Sequence, residues 1–177
     1  RSPGWLSSLR REFLSLDDAA AVAPILSFED DSVQHCGIEF EPHPNFPDLW
    51  INTHPRKGLP VSLLDFGDTP VPVPAVTAAC MMISRKRYAE LGGLDEQYLL
   101  GDFEDSDLCL KGISKGYRNY LIPTVLLYHL ERKSQNLFED LDWKKRVTLF
   151  NCWQHSDRWH ETIVEVMAAR HAKRQVD

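Results

Sequence analysis

Apolar positions along the chain switch between helical and strand spacing. Trp5, Leu6, Leu9, Phe13 and Leu16 recur on one helical face. Ser2-Pro3 just before them suits an N-cap followed by the first helical position. Asp17-Asp18 closes that helix. Ala20 to Phe28 is a short apolar run of the kind a buried strand makes. A polar turn follows at Glu29-Asp-Asp-Ser32, and Val33 to Phe40 reads as a second strand.

Residues 41–75 change character, holding eight of the eleven prolines: Pro42, Pro44, Pro47, Pro55, Pro60, Pro70, Pro72 and Pro74. Proline lacks a ladder donor and fixes φ, so a long loop is expected here, with Val61 to Phe66 as a short edge strand. Phe46, Trp50 and His54 give the loop side chains that either contact a ligand or pin it to the core.

Ala75 to Ser84 is apolar almost throughout and predicts a central strand. Ser84 then caps a helix from Arg85 to Leu91, which Gly92-Gly93 stops. A helix is expected over Glu104 to Lys115, ended by Gly116. Two short strands, Tyr117 to Ile122 and Thr124 to His129, flank Pro123. An amphipathic helix over Glu139 to Gln154 precedes a last one capped by Ser156, which carries Trp159, Ile163, Val166 and Met167. Arg170 to Asp177 is expected to fray.

Alternating strands and helices predict an α/β layer structure. Its 177 residues suffice for one core. The expected division is 1–135 as a main unit, with the helices of 136–177 packed on it. A net charge of −6 argues against a nucleic-acid surface, which needs a basic stripe. No apolar run approaches the roughly 18 residues of a membrane span. Cys36, Cys80, Cys109 and Cys152 form no CxxC pair and read as reduced thiols. Glycine-rich nucleotide loops of the GxGxxG and GxxxxGK[ST] forms are absent. The chain opens Arg1-Ser-Pro-Gly-Trp5 without an initiator Met, as an excised piece of a longer protein would.

The densest chemistry lies over 91–111. Asp95, Glu96, Asp102, Glu104, Asp105 and Asp107 fall within thirteen residues, among Leu94, Tyr98, Leu99, Leu100 and Phe103. A solvated acidic loop would not interleave so many apolar side chains. The twelve-residue calcium loop fails on spacing, with no Gly at its sixth position and no Glu at its twelfth. A carboxylate at a helix start is held ionised by free N–H groups and the dipole, and can take a proton from a hydroxyl nucleophile. Asp105, Leu108, Cys109 and Gly112 share one helical face, so Asp105 should point to the packed side and any cleft. Asp107, about 200° away, should face the surface. His129 ends an apolar strand, and is either bonded to a neighbour or a metal ligand. His35 poses the same choice.

Taken together, these residues resemble family 2 glycosyltransferases of the GT-A fold. The resemblance rests on Val76-Thr-Ala-Ala-Cys-Met-Met-Ile-Ser-Arg85, Leu91-Gly-Gly-Leu-Asp-Glu96, Phe103-Glu-Asp-Ser-Asp-Leu-Cys-Leu-Lys111, Gly116-Tyr117, Ile122-Pro123 and Tyr128-His129. Earlier pieces, Pro3-Gly-Trp-Leu6, Val22-Ala-Pro-Ile-Leu26 and Ser32-Val-Gln-His-Cys-Gly37, are similar to the rhamnosyltransferase-like branch. The resemblance spans roughly residues 2–135.

It implies a partial GT-A-like mixed sheet flanked by helices, lacking the N-terminal nucleotide-binding half. The implied activity is inverting transfer of a sugar from a nucleotide-diphospho-sugar to a glycan or lipid-linked acceptor in bacterial envelope polysaccharide synthesis. Asp105 matches the general base. Glu104, Thr77, Ala78, Gly93 and Asp95 fall at substrate-side positions, although family members often have Gly where Ala78 stands. His129 matches a ligand of a divalent metal, Mg or Mn, whose aspartate partners would precede Arg1. The resemblance further implies weak or no activity for the chain alone, a homodimer through an exposed sheet edge, and a cytoplasmic location, peripheral at the inner face of the membrane. The alternative is a non-catalytic carbohydrate-binding or interaction module on the same fold, with the 41–75 loop as its contact surface.

Overall fold

A computed structural model describes residues 2–129 and 141–174. Helix α1 (Trp5–Leu14) leads into strand β1 (Ala19–Ser27), followed by β2 (Val33–His35), β3 (Glu39–His43), β4 (Phe46–Thr53) and β5 (Val71–Val73). Helices α2 (Arg85–Glu90) and α3 (Glu104–Ser114), strand β6 (Arg118–Tyr128) and a long helix, α4 (Leu141–Arg174), complete the chain. The fold is α/β, with a mixed sheet flanked by helices. The sheet order is β2-β1-β6-β5, with β1 parallel to β6 and both edge strands antiparallel to their neighbours.

Strand β1 is buried over its whole length because both of its faces are covered. On one face Leu9 of α1, with Phe13 and Leu16, packs against Val22, Tyr120, Ile122 and Val125. On the other, Ala21, Ala23 and Ile25 meet Cys109 and Leu110 of α3 and Ile163 and Met167 of α4. This second, larger core carries the site, since α3 and α4 both rest on it.

Several sequence expectations change. Helix α1 is capped at Gly4 instead of Ser2, whose hydroxyl accepts the Leu126 N–H at 3.1 Å. The second strand breaks at Gly37 into β2 and β3. The proline-rich stretch contains a regular hairpin, β3–β4, in a separate two-stranded sheet. Pro42 and Pro47 are tolerated because each strand of such a ribbon has a side with no ladder partner, and Pro42 sits at a register shift. Val61–Leu63 is a single 3₁₀ turn, not an edge strand.

Ala75 to Ser84 is no central strand. Only Ala75 and Met82 make isolated bridges, to Ile38 and Val22. Between them the Thr77 hydroxyl accepts the Ala79 N–H and sets a 3₁₀ turn over Ala78–Cys80, a local bond that outcompetes the ladder. The two strands around Pro123 are one, β6. Its register against β1 jumps from Ile122 to Leu126, so residues 123–125 bulge out and the proline needs no donor there.

The break expected before Ser156 is also absent. Ser156 lies inside α4, its hydroxyl donating to Cys152 O and accepting the Trp50 N–H, both at 2.7 Å. Residues 139 and 140 of the expected helix, and 175–177 of the expected frayed end, lie outside the described residues. The sheet edges, β2 and β5, are three residues each, with Pro72 in the middle of β5. Such short edges offer little to a second copy. No helix among the described residues is long and apolar enough to cross a membrane. The four cysteines are free, with Cys36, Cys109 and Cys152 buried.

Candidate active site

Helix α3 begins at the cleft, as its periodicity predicts. The approach to it is strained. Leu100, Gly101, Asp102 and Phe103 all have positive φ, at 60°, 91°, 67° and 81°. Three of these are not glycine, and such backbone costs on the order of 1 kcal/mol or more per residue unless its surroundings enforce it. Helix α4 does so. Buried Asn151 donates to Leu99 O and Gly101 O, both at 2.9 Å, and accepts the Leu99 N–H at 3.1 Å. The Thr148 hydroxyl donates to Asp102 Oδ2 at 3.1 Å.

This clamped turn delivers Glu104 and Asp105 to a cleft of about 510 Å³. Asp105 is half-buried and oriented from three sides. Its Oδ1 accepts the Ser106 N–H at 2.7 Å, its Oδ2 accepts the Ala78 N–H at 3.2 Å, and the Thr77 side chain bonds it as well. The spacing argument holds on this face: Leu108 and Cys109 are buried, and the Val76 N–H points to Cys109 Sγ.

Burial raises the Asp105 carboxyl above its ordinary value, outweighing the three hydrogen bonds that lower it. The helix start therefore does not fully offset desolvation, contrary to the simple dipole expectation. Glu104 is raised too, by burial first and then by Asp105 and Asp102. Its Oε2 is buried without a hydrogen-bond partner.

Asp107 does not face solvent. It is fully buried, with Oδ2 at 2.7 Å from Lys111 Nζ. Its Oδ1 takes Arg158 Nη1 and Trp159 Nε1 at 2.8 Å each and the Tyr98 hydroxyl at 3.2 Å. The helical wheel is right that Asp107 faces away from Asp105. Another element, α4, covers that side.

Gly93 and Asp95 do not line the cleft. Gly93 O receives Lys111 Nζ at 3.2 Å. Asp95 accepts the Gln97 N–H and bonds Arg158 at 2.6 Å, and these contacts hold its carboxyl below the usual range. Both belong to the framework behind the site. Thr77 lines the cleft, and Ala78 meets it through its N–H on Asp105. A side chain at Ala78 is accommodated because the residue is exposed.

His129 lines the cleft as well; its N–H donates to Ser27 O, and its Nδ1 is buried without a hydrogen-bond partner. Among the described residues no group of three His, Cys, Asp or Glu side chains converges on a metal position. His129 thus provides at most one ligand of a set that these residues do not complete.

His54, one of the three loop side chains that the sequence marks for ligand contact or pinning, lines the cleft, and with it Lys57, Asn52 and Thr148, which sequence reasoning passed over. His54 and Lys57 come from the proline-rich stretch, so that stretch both pins itself to α4 through Trp50 and reaches the site. His35 sits beneath. Its Nε2 accepts the Gly37 N–H at 3.3 Å and the Thr77 N–H at 3.5 Å, which places the proton on Nδ1, facing His54 Nδ1 at 3.4 Å. Burial holds His35 neutral, its pKa lowered to about 3, with His54 and His129 adding to the effect. A short network therefore runs from His54 through His35 and Thr77 to Asp105.

No family model matches the chain. An uncharacterized protein of Sinorhizobium fredii (strain NBRC 101917 / NGR234), y4gI, is 48% identical over 61 residues, which cover 34% of this chain and 7% of that protein. A solved structure described as GalNAc-T7 with UDP, GalNAc and Mn2+ aligns at a TM-score of 0.45 and 16% identity, over 80% of this chain and 29% of that one. The chain thus spans a small part of the length of each.

Proposed function

We propose that this chain forms the acceptor-side half of a glycosyltransferase site, with Asp105 as the general base of an inverting transfer from a nucleotide-diphospho-sugar. The observation that supports it most is the held carboxylate. Asp105 faces a cleft from a clamped helix start, is fixed by Ala78, Ser106 and Thr77, and is made more basic by burial. A base works best when its geometry is set and its pKa lies nearer the operating pH. The resemblance of its surroundings to family 2 glycosyltransferases supplies the reaction class.

In this reading Asp105 takes the proton of an acceptor hydroxyl. That oxygen forms a bond to the anomeric carbon of the donor sugar as the bond to the diphosphate breaks, and the nucleoside diphosphate leaves with the electron pair. Glu104, buried beside Asp105, orients the acceptor. Lys57 brings an ammonium group to the same cleft. A divalent Mg or Mn ion would supply charge stabilisation on the diphosphate, and His129 is the residue here that would touch it.

The test is transfer of labelled sugar from UDP-, GDP- and dTDP-linked donors by the full-length protein that carries this sequence. Asp105→Asn is expected to lower turnover by roughly 10²- to 10⁴-fold, the usual contribution of a positioned base, with an unchanged circular dichroism spectrum. Near-normal turnover in that variant would remove Asp105 from the role.

A further inference from the structure

A second concavity, of about 600 Å³, lies between the tip of the β3–β4 hairpin and α4. Its chemistry differs from that of the cleft. Trp153 and Phe46 line it with 52% and 48% of their surface still exposed, so two large rings stand in water. Trp153, Asp157 and His160 lie at i, i+4 and i+7 on one face of α4. Asp48 enters from the hairpin. The Trp50 indole N–H donates to His160 Nδ1 at 3.1 Å, which leaves the His160 proton on Nε2 as a donor.

The groove thus offers aromatic faces, two carboxylate acceptors and one imidazole donor, and among the described residues no Lys or Arg lines it. Two carboxylates without a cation repel phosphate, sulfate and uronate groups. A pyranose ring matches what is left. Its axial C–H face packs on an aromatic ring, and its equatorial hydroxyls donate to carboxylates and accept from an N–H. The groove shares no lining residue with the cleft, but the same two elements, β4 and α4, carry side chains into both. Strand β4 puts Leu49 in the groove and Asn52 in the cleft, and α4 puts Thr148 in the cleft and Trp153 in the groove. The last two are five residues apart, about 7.5 Å along the helix and about 140° around it, so a chain reaching from one to the other wraps the edge of α4.

We infer that this groove is a subsite for a neutral oligosaccharide, holding a sugar of the acceptor chain one or more units from the reacting hydroxyl. The inference rests on the acceptor-side reading of the cleft for its place in a reaction, but binding at the groove is separable from turnover.

The experiment titrates the 177-residue chain with cellotetraose, maltotetraose and chitotetraose, and with a heparin tetrasaccharide and an uncharged apolar decapeptide as controls, following tryptophan fluorescence and calorimetry. At least one neutral tetrasaccharide is expected to bind, and the heparin fragment and the peptide are not. Trp153→Ala should weaken binding about tenfold, Trp153→Phe should retain most of it, and Asp157→Asn should weaken it severalfold without removing a buried group. Asp105→Asn should leave it unchanged.

Equal binding by wild type, Trp153→Ala and Asp157→Asn overturns the proposal, as does binding of only the heparin fragment or the peptide. If Asp105→Asn retains turnover while Trp153→Ala loses glycan binding, the transferase reading fails and the groove stands. If Asp105→Asn stops turnover while Trp153→Ala binds normally, the groove alone fails.

Discussion

Asp105 has the two properties a base needs, a fixed orientation and a raised pKa, and they come from different neighbours. Burial raises the carboxyl, while the Ala78 N–H, the Ser106 N–H and the Thr77 side chain lower it. Removing one of the three should therefore move the pKa further up. In Thr77→Val, which keeps the backbone N–H to His35, the acid limb of the kcat/KM profile should shift to higher pH than in the wild type. Activity of a base is lost as pH falls through its pKa, so the variant should lose activity at a pH where the wild type keeps it. A coincident acid limb in the two proteins would mean that Thr77 does not touch the ionisation that matters. The orientation of Asp105 could be read from sequence because helical spacing places it on the packed face with Leu108 and Cys109. The burial of Asp107 could not, because its partners Arg158 and Trp159 lie more than fifty residues away on α4.

Helix α3 carries Asp105, the proposed base, so its seat on the sheet sets where that carboxylate sits. Gly112 makes that seat possible: a Cβ there would lie 2.6 Å from Ala20 Cβ on β1, a contact between two short, stiff side chains. Gly112→Ala should be destabilising by about 1–3 kcal/mol in chemical denaturation, from overpacking, even though alanine is the better helix former by roughly 1 kcal/mol. Turnover should fall with it as α3 is displaced. An unchanged or higher stability would show that α3 can move off β1 freely.

At the element scale the sequence was informative where one periodicity dominates and misleading where local bonds or packing decide. Helices α2 and α3 and strand β1 are plain in the pattern. Ala75 to Ser84 looked like the best strand in the chain, yet one threonine hydroxyl turns it. The turn is what brings the Ala78 N–H to Asp105, so the misread segment builds the site. The hairpin hidden among prolines has a similar history. Proline argues against a central strand, but a two-stranded ribbon has unpaired sides that accept it.

Across the whole molecule, two buried neutral histidines stand behind the two flanks of Asp105. His35 accepts the N–H of Thr77, and His155 Nε2 lies 3.1 Å from the hydroxyl of Ser106. Burial lowers the pKa of His35 to about 3; His155 is lowered to about 4, again by burial first, with Asp107 opposing and Arg158 assisting. Protonating either would place a charge among groups arranged for a neutral ring. His35 would turn a donor toward two backbone N–H groups, and His155 Nδ1 is buried without a hydrogen-bond partner. Both folded pKa values lie below the ordinary 6.5, so the unfolded chain binds more protons between them and 6.5. Their contribution to stability is present above about pH 6.5 and is lost as pH falls toward 4 and then 3, with a slope of at most about 1.4 kcal/mol per pH unit for each ring. Asp105 and Glu104, whose pKa values are raised, act in the opposite sense from their ordinary carboxylate values upward. The histidines act from the top of that range, because they titrate near 6.5 in the unfolded chain. Denaturation midpoints should therefore drop between pH 7 and pH 5, and His155→Gln should flatten that dependence whatever its effect on stability at pH 7. A midpoint that holds steady or rises on acidification would mean the histidines are hydrated in solution. Because the folded chain protonates these rings only near pH 4 and 3, acidification should lower the denaturation midpoint well before it disturbs the seats of Thr77 and Ser106 beside Asp105.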